Sequence, residues 1–395
     1  MIRFTRAAAA AVLVCSLALP AGVATAAGPD SPTTAAPAAA GAAQVARAAT
    51  LPAPTGPYAV GSTVLPLVDR SRTDPWVPTA DGRALMVTLH YPAARSGGGR
   101  PAPYATRDEA RLLAVQLGPG VSGDVLARTR THSRTGVRPA SGRHPLVLLS
   151  PGFGVSRWTL THLAVDLASR GYIVASVDHA YESYGISLPG GRTLTCVACT
   201  ALDEGGVHGS VVTSTRAADM RYVLDRLTGP EPVWRYADVI DARRVGMAGH
   251  SIGGASAATA MAADPRIDAG INMDGAFWED LPADGLRGRP FLMLGTHDSM
   301  HLPGGQDTSW DRTWTALDGW KRWITVAGSE HFTFSDGPVI ARHFGLPQPE
   351  LPTDRAVAVT RTYVAAFFDQ HLRGIPRPVL DGPTPANPEV HFQHR

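Results

Sequence analysis

Ser251 sits in Gly249-His250-Ser251-Ile252-Gly253, between the apolar run Val245-Gly246-Met247-Ala248 and the small-residue stretch Gly253-Gly254-Ala255-Ser256-Ala257-Ala258. A strand that turns sharply into a helix at a G-x-S-x-G string lifts the serine hydroxyl clear of a sheet edge, where it can attack a carbonyl carbon. Glycine is needed on both sides because a Cβ would clash across so tight a turn. The start of the following helix also aims free N–H groups at developing negative charge. The string alone is a weak signal in a chain with 41 glycines, and its bland reading is a glycine turn with a capping serine. The strand–turn–helix context favours the nucleophile, and the chemistry it indicates is acyl transfer.

A serine hydroxyl needs a base to take its proton and a third group to orient that base. In this type of strand–turn–helix protein the acid and then the histidine follow the serine along the chain. His331, in Ile324-Thr325-Val326-Ala327-Gly328-Ser329-Glu330-His331, follows a short apolar run and falls in a loop, where a base belongs. His343, His371, His391 and His394 fall in helical or tail segments and fit less well. Two acids fit the position of the third group: Asp274, which ends the run before Gly275-Ala276-Phe277, and Asp298, in Gly295-Thr296-His297-Asp298. Both would project from the carboxyl edge of a parallel sheet, where such sites assemble. The residues alone leave that choice open.

A tetrahedral oxyanion needs two backbone N–H donors. Ile252, directly after the nucleophile, supplies one, and Phe153, between Gly152 and Gly154 after the run Pro145–Leu149, is the candidate for the other. Trp158 and Trp278 follow the oxyanion loop and the candidate acid and are read as possible walls of an acyl pocket. His297 and His301 have the i,i+4 spacing of metal ligands, but no H-E-x-x-H motif and no third ligand accompany them, so no metal is expected. No organic cofactor is expected either.

Such a constellation must be carried by a sheet. Short apolar runs at Ala84–His90, Pro145–Leu149, Ile173–Val177, Val245–Ala248, Ile267–Met273, Pro290–Leu294 and Trp323–Val326 read as strands. Runs such as Pro-Leu-Val-Leu-Leu are apolar on both faces, as buried parallel strands are. Helical patterns at Leu160–Arg170, Ser214–Leu227, Gly253–Ala263 and Arg355–Leu372 alternate with them, which predicts an α/β fold with a mostly parallel central sheet. No repeat or linker divides the chain between residues 55 and 395, so one catalytic domain is expected there.

The N-terminus is different in kind. Arg3 and Arg6, the apolar stretch Ala7–Leu19 and Ala24-Thr25-Ala26 have the layout of a cleaved secretory signal over residues 1–26. The apolar stretch is shorter than the roughly 20 residues of a membrane span, and no later stretch is long and apolar enough. Residues 27–54, rich in Ala and Pro and without an aromatic residue, read as a spacer. Export would place Cys196 and Cys199 in an oxidising compartment, where this pair is expected to close a small disulfide.

Composition excludes other classes. The 44% apolar and 18% charged content is that of a globular protein. Gly and Pro fall below the roughly 25–30% of low-complexity chains. Net charge is +2, from 36 basic and 34 acidic residues, with no basic run that would mark a nucleic-acid footprint. Trp310, Trp314, Trp320 and Trp323 crowd one segment; packing against the core is the favoured reading and a lipid- or polymer-facing patch the other.

Taken together, Gly56-Pro57-Tyr58-Ala59-Val60-Gly61, the Leu-His-Tyr-Pro-Ala string around Tyr91, Ser150-Pro151-Gly152-Phe153-Gly154, the Arg170–His179 segment, Gly249–Gly254 and Asn272–Trp278 resemble the platelet-activating factor acetylhydrolase family, the plasma and type II intracellular group, within the α/β-hydrolase fold. The resemblance runs from about Thr55 to Gly374, with its motifs in family order. It implies a serine esterase of the 1-alkyl-2-acetylglycerophosphocholine esterase type, active in lipid degradation, with Ser251, Asp274 and His331 as the triad, so it favours Asp274 over Asp298. Two departures stand out. Pro151-Gly152 replaces the family's His-Gly, and Gly295-Thr296-His297-Asp298 with Ser329-Glu330-His331-Phe332 is closer to secreted lipases and polyester hydrolases. The expected protein is a secreted, monomeric esterase acting on a small-molecule or lipid ester, with at most transient contact with a lipid interface. A lipase or polyester hydrolase with the same triad is the alternative, and a binding module on a retired hydrolase fold is the non-enzyme alternative.

Overall fold

Along His144–Ser150 every residue is buried, yet neighbours face opposite ways. Val147 and Leu149 join a cluster with Leu163, Leu167, Phe367 and Phe368, while Leu146 and Leu148 join one with Val223, Leu227, Met261 and Met293. A strand alternates its side chains across the sheet, so a continuous apolar run needs a packed layer on each face. Helices Thr161–Ser169 and Thr353–Arg373 form one layer, and helices Gly209–Thr228, Ile252–Ala263 and Ser309–Ala316 the other.

The structure, a computed structural model, describes residues 47–94 and 98–394. Residues 44–395 form one compact unit. The expected signal at 1–26 lies outside the described residues, as does most of the expected spacer.

Among the described residues the strands run, in chain order, β1 (Val60–Asp69), β2 (Arg83–Pro92), β3 (Arg100–Pro101), β4 (Ser133–Thr135), β5 (His144–Ser150), β6 (Ile173–His179), β7 (Ile186–Ser187), β8 (Thr193–Leu194), β9 (Ile240–His250), β10 (Ala269–Met273), β11 (Phe291–Thr296), β12 (Lys321–Val326) and β13 (Val390–His394). Eleven of them form one sheet in the order β13-β12-β11-β10-β9-β5-β6-β2-β1-β4-β3, and β7 and β8 form a separate ribbon. From β6 through β5, β9, β10 and β11 to β12 every pairing is parallel. β2 is antiparallel to β6 and β13 to β12. This mostly parallel sheet between helical layers is the α/β-hydrolase architecture, and it puts the carboxyl ends of β5, β9, β10, β11 and β12 along one edge.

The short strands β3, β4, β7 and β8 and the helices Arg107–Leu117, Gly123–Ala127, Val197–Asp203 and Gly337–Phe344 are absent from the sequence reading, and three further differences have a clear physical reason. β1 is not among the apolar runs read as strands, and Pro66 interrupts its pattern. Beyond β2, its other neighbour pairs only with Val60–Ser62, so Pro66 lies along an unpaired edge that needs no N–H donor. The tail carrying His391 and His394 is strand β13. The folded chain also begins before Thr55: Leu51 N–H bonds Arg130 O at 3.0 Å, Arg361 donates to the Pro52 and Ala53 carbonyls, and Ala49 and Leu51 are buried. Two buried apolar side chains anchor a segment that composition alone marks as spacer.

Trp310 and Trp323 are fully buried, with ring centroids 5.5 Å apart, so two of the four crowded tryptophans are core. Lys321, the chain's sole lysine, starts β12. Its Nζ donates to the Trp314 and Leu317 carbonyls at 2.6 and 2.8 Å, where helix Ser309–Ala316 ends, and lies 4.6 Å from the Trp314 ring centroid. Partial burial pulls its pKa down.

Candidate active site

β9 ends at His250, and Ser251 turns the chain into helix Ile252–Ala263 with φ 57° and ψ −132°. A non-glycine residue at positive φ is strained. Here the turn is held from beneath, because Ser251 N–H bonds Met273 O at 2.8 Å. A Cβ on Gly253 would lie 2.2 Å from Ser150 O, so glycine lets the helix start press against the end of β5.

His331 opens a short 3-10 turn, His331–Phe334, five residues after β12. Glu330 N–H bonds Thr333 Oγ1 at 2.8 Å and Thr333 N–H bonds Glu330 O, which fixes the turn. His331 Nε2 lies 3.0 Å from Ser251 Oγ, and Nδ1 lies 2.7 Å from Asp274 Oδ2. The His331 side chain is 44% exposed and Asp274 only 1%, so the imidazole meets solvent while the carboxylate does not. Burial alone would raise the Asp274 pKa. The His331 hydrogen bond, the charges of His301 and His331 and the Thr296 N–H outweigh it and hold the carboxyl at about 2. Asp274 is therefore ionised across the working range of an esterase and accepts the Nδ1 proton of His331. That leaves Nε2 unprotonated opposite the serine.

His250 supports His331 from below. Burial, then the adjacent His331, lower its pKa to about 3, so its ring is neutral. Its Nε2 lies 2.7 Å from the His331 carbonyl, an acceptor, and so carries the ring proton. Asp298, the other candidate acid, stands apart from His331. Its Oδ2 accepts from Thr296 Oγ1 at 2.9 Å, and its Oδ1 accepts from Met300 N–H and His301 N–H at 3.0 and 3.1 Å.

On the oxyanion side, Ile252 is the first residue of its helix, where an N–H has no intrahelical partner. Among the described residues the Phe153 N–H meets no protein acceptor. The Phe153 loop is held at both ends by one ion pair, Glu182 and Arg216. Gly154 N–H bonds Glu182 O at 3.0 Å. The Glu182 carboxylate accepts from Arg216 Nε at 2.7 Å, and Arg216 Nη1 donates to Pro151 O at 2.5 Å.

Beneath lies a buried ion cluster. Arg83 contacts Glu182, Asp219 and Asp74 at 2.7, 2.8 and 3.1 Å. Burial would raise the Asp219 and Glu182 carboxyls, but Arg83 next to both and Arg216 next to Glu182 hold them below the ordinary range. Arg83→Met would leave three buried carboxylates short of a partner. Removing one member of a buried pair costs about 3–5 kcal/mol. The expected result is a lower urea midpoint with an unchanged m-value.

Other candidates fall elsewhere. Trp158 is 4% exposed and packs on Tyr104, ring centroids 4.9 Å apart, in a cluster with Val155 and Ile340; it is packing, not a pocket wall. Trp278 lines a groove of about 350 Å³ along helix Ile252–Ala263, with Ala255, Ala258 and Phe277. Cys196 and Cys199 are joined in a disulfide. Among the described residues no group of three or more His, Cys, Asp or Glu side chains is placed to hold a metal ion. The His297 and His301 rings engage different partners, Thr325 and Thr296. Sequence reasoning missed His250, Thr296 and Arg216. His250 and Thr296 lie inside the strings already singled out, whereas nothing local marks Arg216.

The chain has counterparts in known proteins. The chain is 48% identical to a solved ferulic acid esterase from Streptomyces cinnamoneus, with a TM-score of 0.79, covering 88% of this chain and 99% of that one. It is 30% identical over 379 residues to a probable 1-alkyl-2-acetylglycerophosphocholine esterase of Arthroderma benhamiae, covering 87% of this chain and 93% of the relative. It is 22% identical over 365 residues to a platelet-activating factor acetylhydrolase of Canis lupus familiaris, covering 82% of this chain and 78% of the relative. The sequence profile described as platelet-activating factor acetylhydrolase, isoform II, matches residues 43–188 and 232–374. With most of its length matched, the chain belongs to the platelet-activating factor acetylhydrolase isoform II family.

Proposed function

We propose that this protein is a secreted serine hydrolase of carboxylic esters, with Ser251 as nucleophile, His331 as base and Asp274 as the acid that orients it. The observation that carries this reading is the unbroken chain from Ser251 Oγ through both nitrogens of His331 to Asp274 Oδ2. Ser251 attacks the ester carbonyl as His331 Nε2 takes its proton. Asp274 stabilises the imidazolium, and the Phe153 and Ile252 N–H groups receive the oxyanion. His331 then protonates the leaving alcohol, and water activated by the same ring releases the acyl-enzyme. Export is supported by the residue pattern of positions 1–26 and by the Cys196–Cys199 disulfide, which suits an oxidising compartment.

The family points to short-acyl esters of glycerophosphocholine type. A second reading, hydroxycinnamoyl esters, is favoured by the 48% identity to a ferulic acid esterase. The half-exposed His331 and the 50% exposed Phe332 beside it describe an open site that suits either leaving group. The test is kcat/KM on p-nitrophenyl esters from acetyl to dodecanoyl, on methyl ferulate and on a 2-acetyl glycerophosphocholine, with Ser251→Ala as control. A steep fall beyond short chains, with the phosphocholine ester preferred, supports the first reading. Preference for methyl ferulate by tenfold or more supports the second, and a flat or rising chain-length profile supports the lipase or polyester-hydrolase alternative.

A further inference from the structure

The string Gly295-Thr296-His297-Asp298-Ser299-Met300-His301 supplies neither the base nor, on the geometry above, the acid bonded to it, yet it packs directly against Asp274. Thr296 is where its bonds cross. The Thr296 N–H donates to Asp274 Oδ1 at 2.7 Å, its hydroxyl donates to Asp298 Oδ2 at 2.9 Å, and its Oγ1 lies 2.9 Å from His301 Nδ1. The Thr296 proton is committed to Asp298, so Oγ1 faces His301 with a lone pair. The other neighbours of His301 Nδ1 are carboxylate oxygens, Asp298 Oδ1 at 3.2 Å and Asp274 Oδ1 at 3.4 Å. Every group facing that nitrogen is an acceptor, so Nδ1 carries a proton.

The His301 ring is held in place independently of the acid. It packs on Trp310 with centroids 4.8 Å apart, its carbonyl accepts from Trp323 Nε1 at 2.9 Å, and its own N–H bonds Asp298 Oδ1. The titratable groups in contact with the imidazole are Asp274, at the end of β10, and Asp298, in its own loop. The tryptophans from helix Ser309–Ala316 and from β12 bring no charge.

We propose that His301 is a positioning residue for the acid: the Thr296 N–H bonds Asp274 Oδ1 at 2.7 Å, and the His301 Nδ1–H, bonded to Thr296 Oγ1, brings its positive edge to 3.4 Å from the same oxygen, so that Oδ2 alone faces His331. The inference rests on the reading of Asp274 as the acid of the triad. In this arrangement Asp298 is no competing acid but the group that holds His301 in register. The hydrogen-bond chain is thus longer than three residues, running from Ser251 through His331 and Asp274 to Thr296, His301 and Asp298.

The positive end of the His301 N–H dipole draws electron density from Asp274. Removing it makes the carboxylate a stronger partner for the His331 imidazolium, so the acid limb of the kcat/KM–pH profile moves to higher pH. Two substitutions separate this role from packing. In His301→Asn the amide nitrogen takes the place of Nδ1, whereas in His301→Gln the amide reaches only to the place of Nε2.

The experiment measures pH profiles of both variants on p-nitrophenyl acetate, with active sites counted by phosphonate titration and melting temperatures recorded. His301→Gln is expected to shift the acid limb up by about half a unit to one unit and to lower kcat by about tenfold with KM little changed. His301→Asn is expected to keep the wild-type limb. Wild-type profiles for both, or equal shifts in both, would overturn the proposal. If either variant fails to fold, Thr296→Val gives the answer, since it removes the Oγ1 anchor but keeps the Thr296 N–H. It should shift the limb in the same direction, and an unmoved limb overturns the proposal. Asp274→Asn is assayed in parallel: if it stays active, the triad reading itself has failed, and if only the His301 variants behave as wild type, this inference alone has failed.

Discussion

Ser251→Ala is expected to lower kcat by about 10⁶, with substrate affinity little changed. The loss is that large because His331 Nε2, 3.0 Å from the serine hydroxyl, has no other nucleophile held in line. What remains is the activity that the oxyanion donors and substrate binding give on their own, a residual of about 10³–10⁴ over water. The Ser251 side chain is only partly buried and caps no helix N–H, and alanine keeps its Cβ, so the variant should fold as the wild type does. Steady-state kinetics on p-nitrophenyl acetate, at a protein concentration set by absorbance, read both quantities. Activity above about one-thousandth of wild type would remove Ser251 from the mechanism.

Asp274→Asn is expected to cost about 10⁴ in kcat, for a reason specific to this site. The Thr296 N–H sits 2.7 Å from Oδ1 and needs an acceptor there. The asparagine oxygen is therefore drawn to Thr296, and its amide NH₂ turns toward His331. An amide donor opposite Nδ1 forces the ring proton onto Nε2, where it faces Ser251 Oγ and the ring can no longer act as a base. Asp298→Asn keeps an acceptor in its loop and touches neither reacting group, so its expected loss is only a few-fold. Comparing kcat of the two variants decides between the carboxylates. Equal and small losses would mean that neither is the acid, and a large loss at Asp298 alone would transfer the role.

The centre of the sheet was legible because buried parallel strands leave uninterrupted apolar runs. Pro145–Leu149 and Val245–Ala248 fall inside β5 and β9. The edges were not. β1 carries Pro66, and β13 is a short polar strand that only its pairing with β12 defines. Ser251, His331 and the two carboxylates Asp274 and Asp298 stood out as candidates because each follows the carboxyl end of a parallel strand. The choice between Asp274 and Asp298 could not be made from residue types, since both end adjacent strands. What distinguishes them in space is which carboxylate lies 2.7 Å from His331. The cluster of Arg83, Asp74, Glu182, Arg216 and Asp219 was invisible for another reason: its members come from distant segments, and a charged residue in a sequence reads as surface. Trp158 misled for the converse reason, because proximity along the chain to the oxyanion loop says nothing about which way a ring turns.

A sole lysine at the start of β12 has a practical consequence for covalent attachment. Amine-directed coupling can reach only Lys321 and the chain's α-amino group, and Lys321 Nζ is already committed to two carbonyls. Where Lys321 does couple, a solid support is joined at the amino end of a strand whose carboxyl end leads to His331. Six residues of strand span roughly 20 Å, so a protein grafted there presents its reactive edge outward. Random lysine chemistry, which usually yields a mixture of orientations, would in this protein offer one lysine orientation, with the α-amino group as the competing point of attachment.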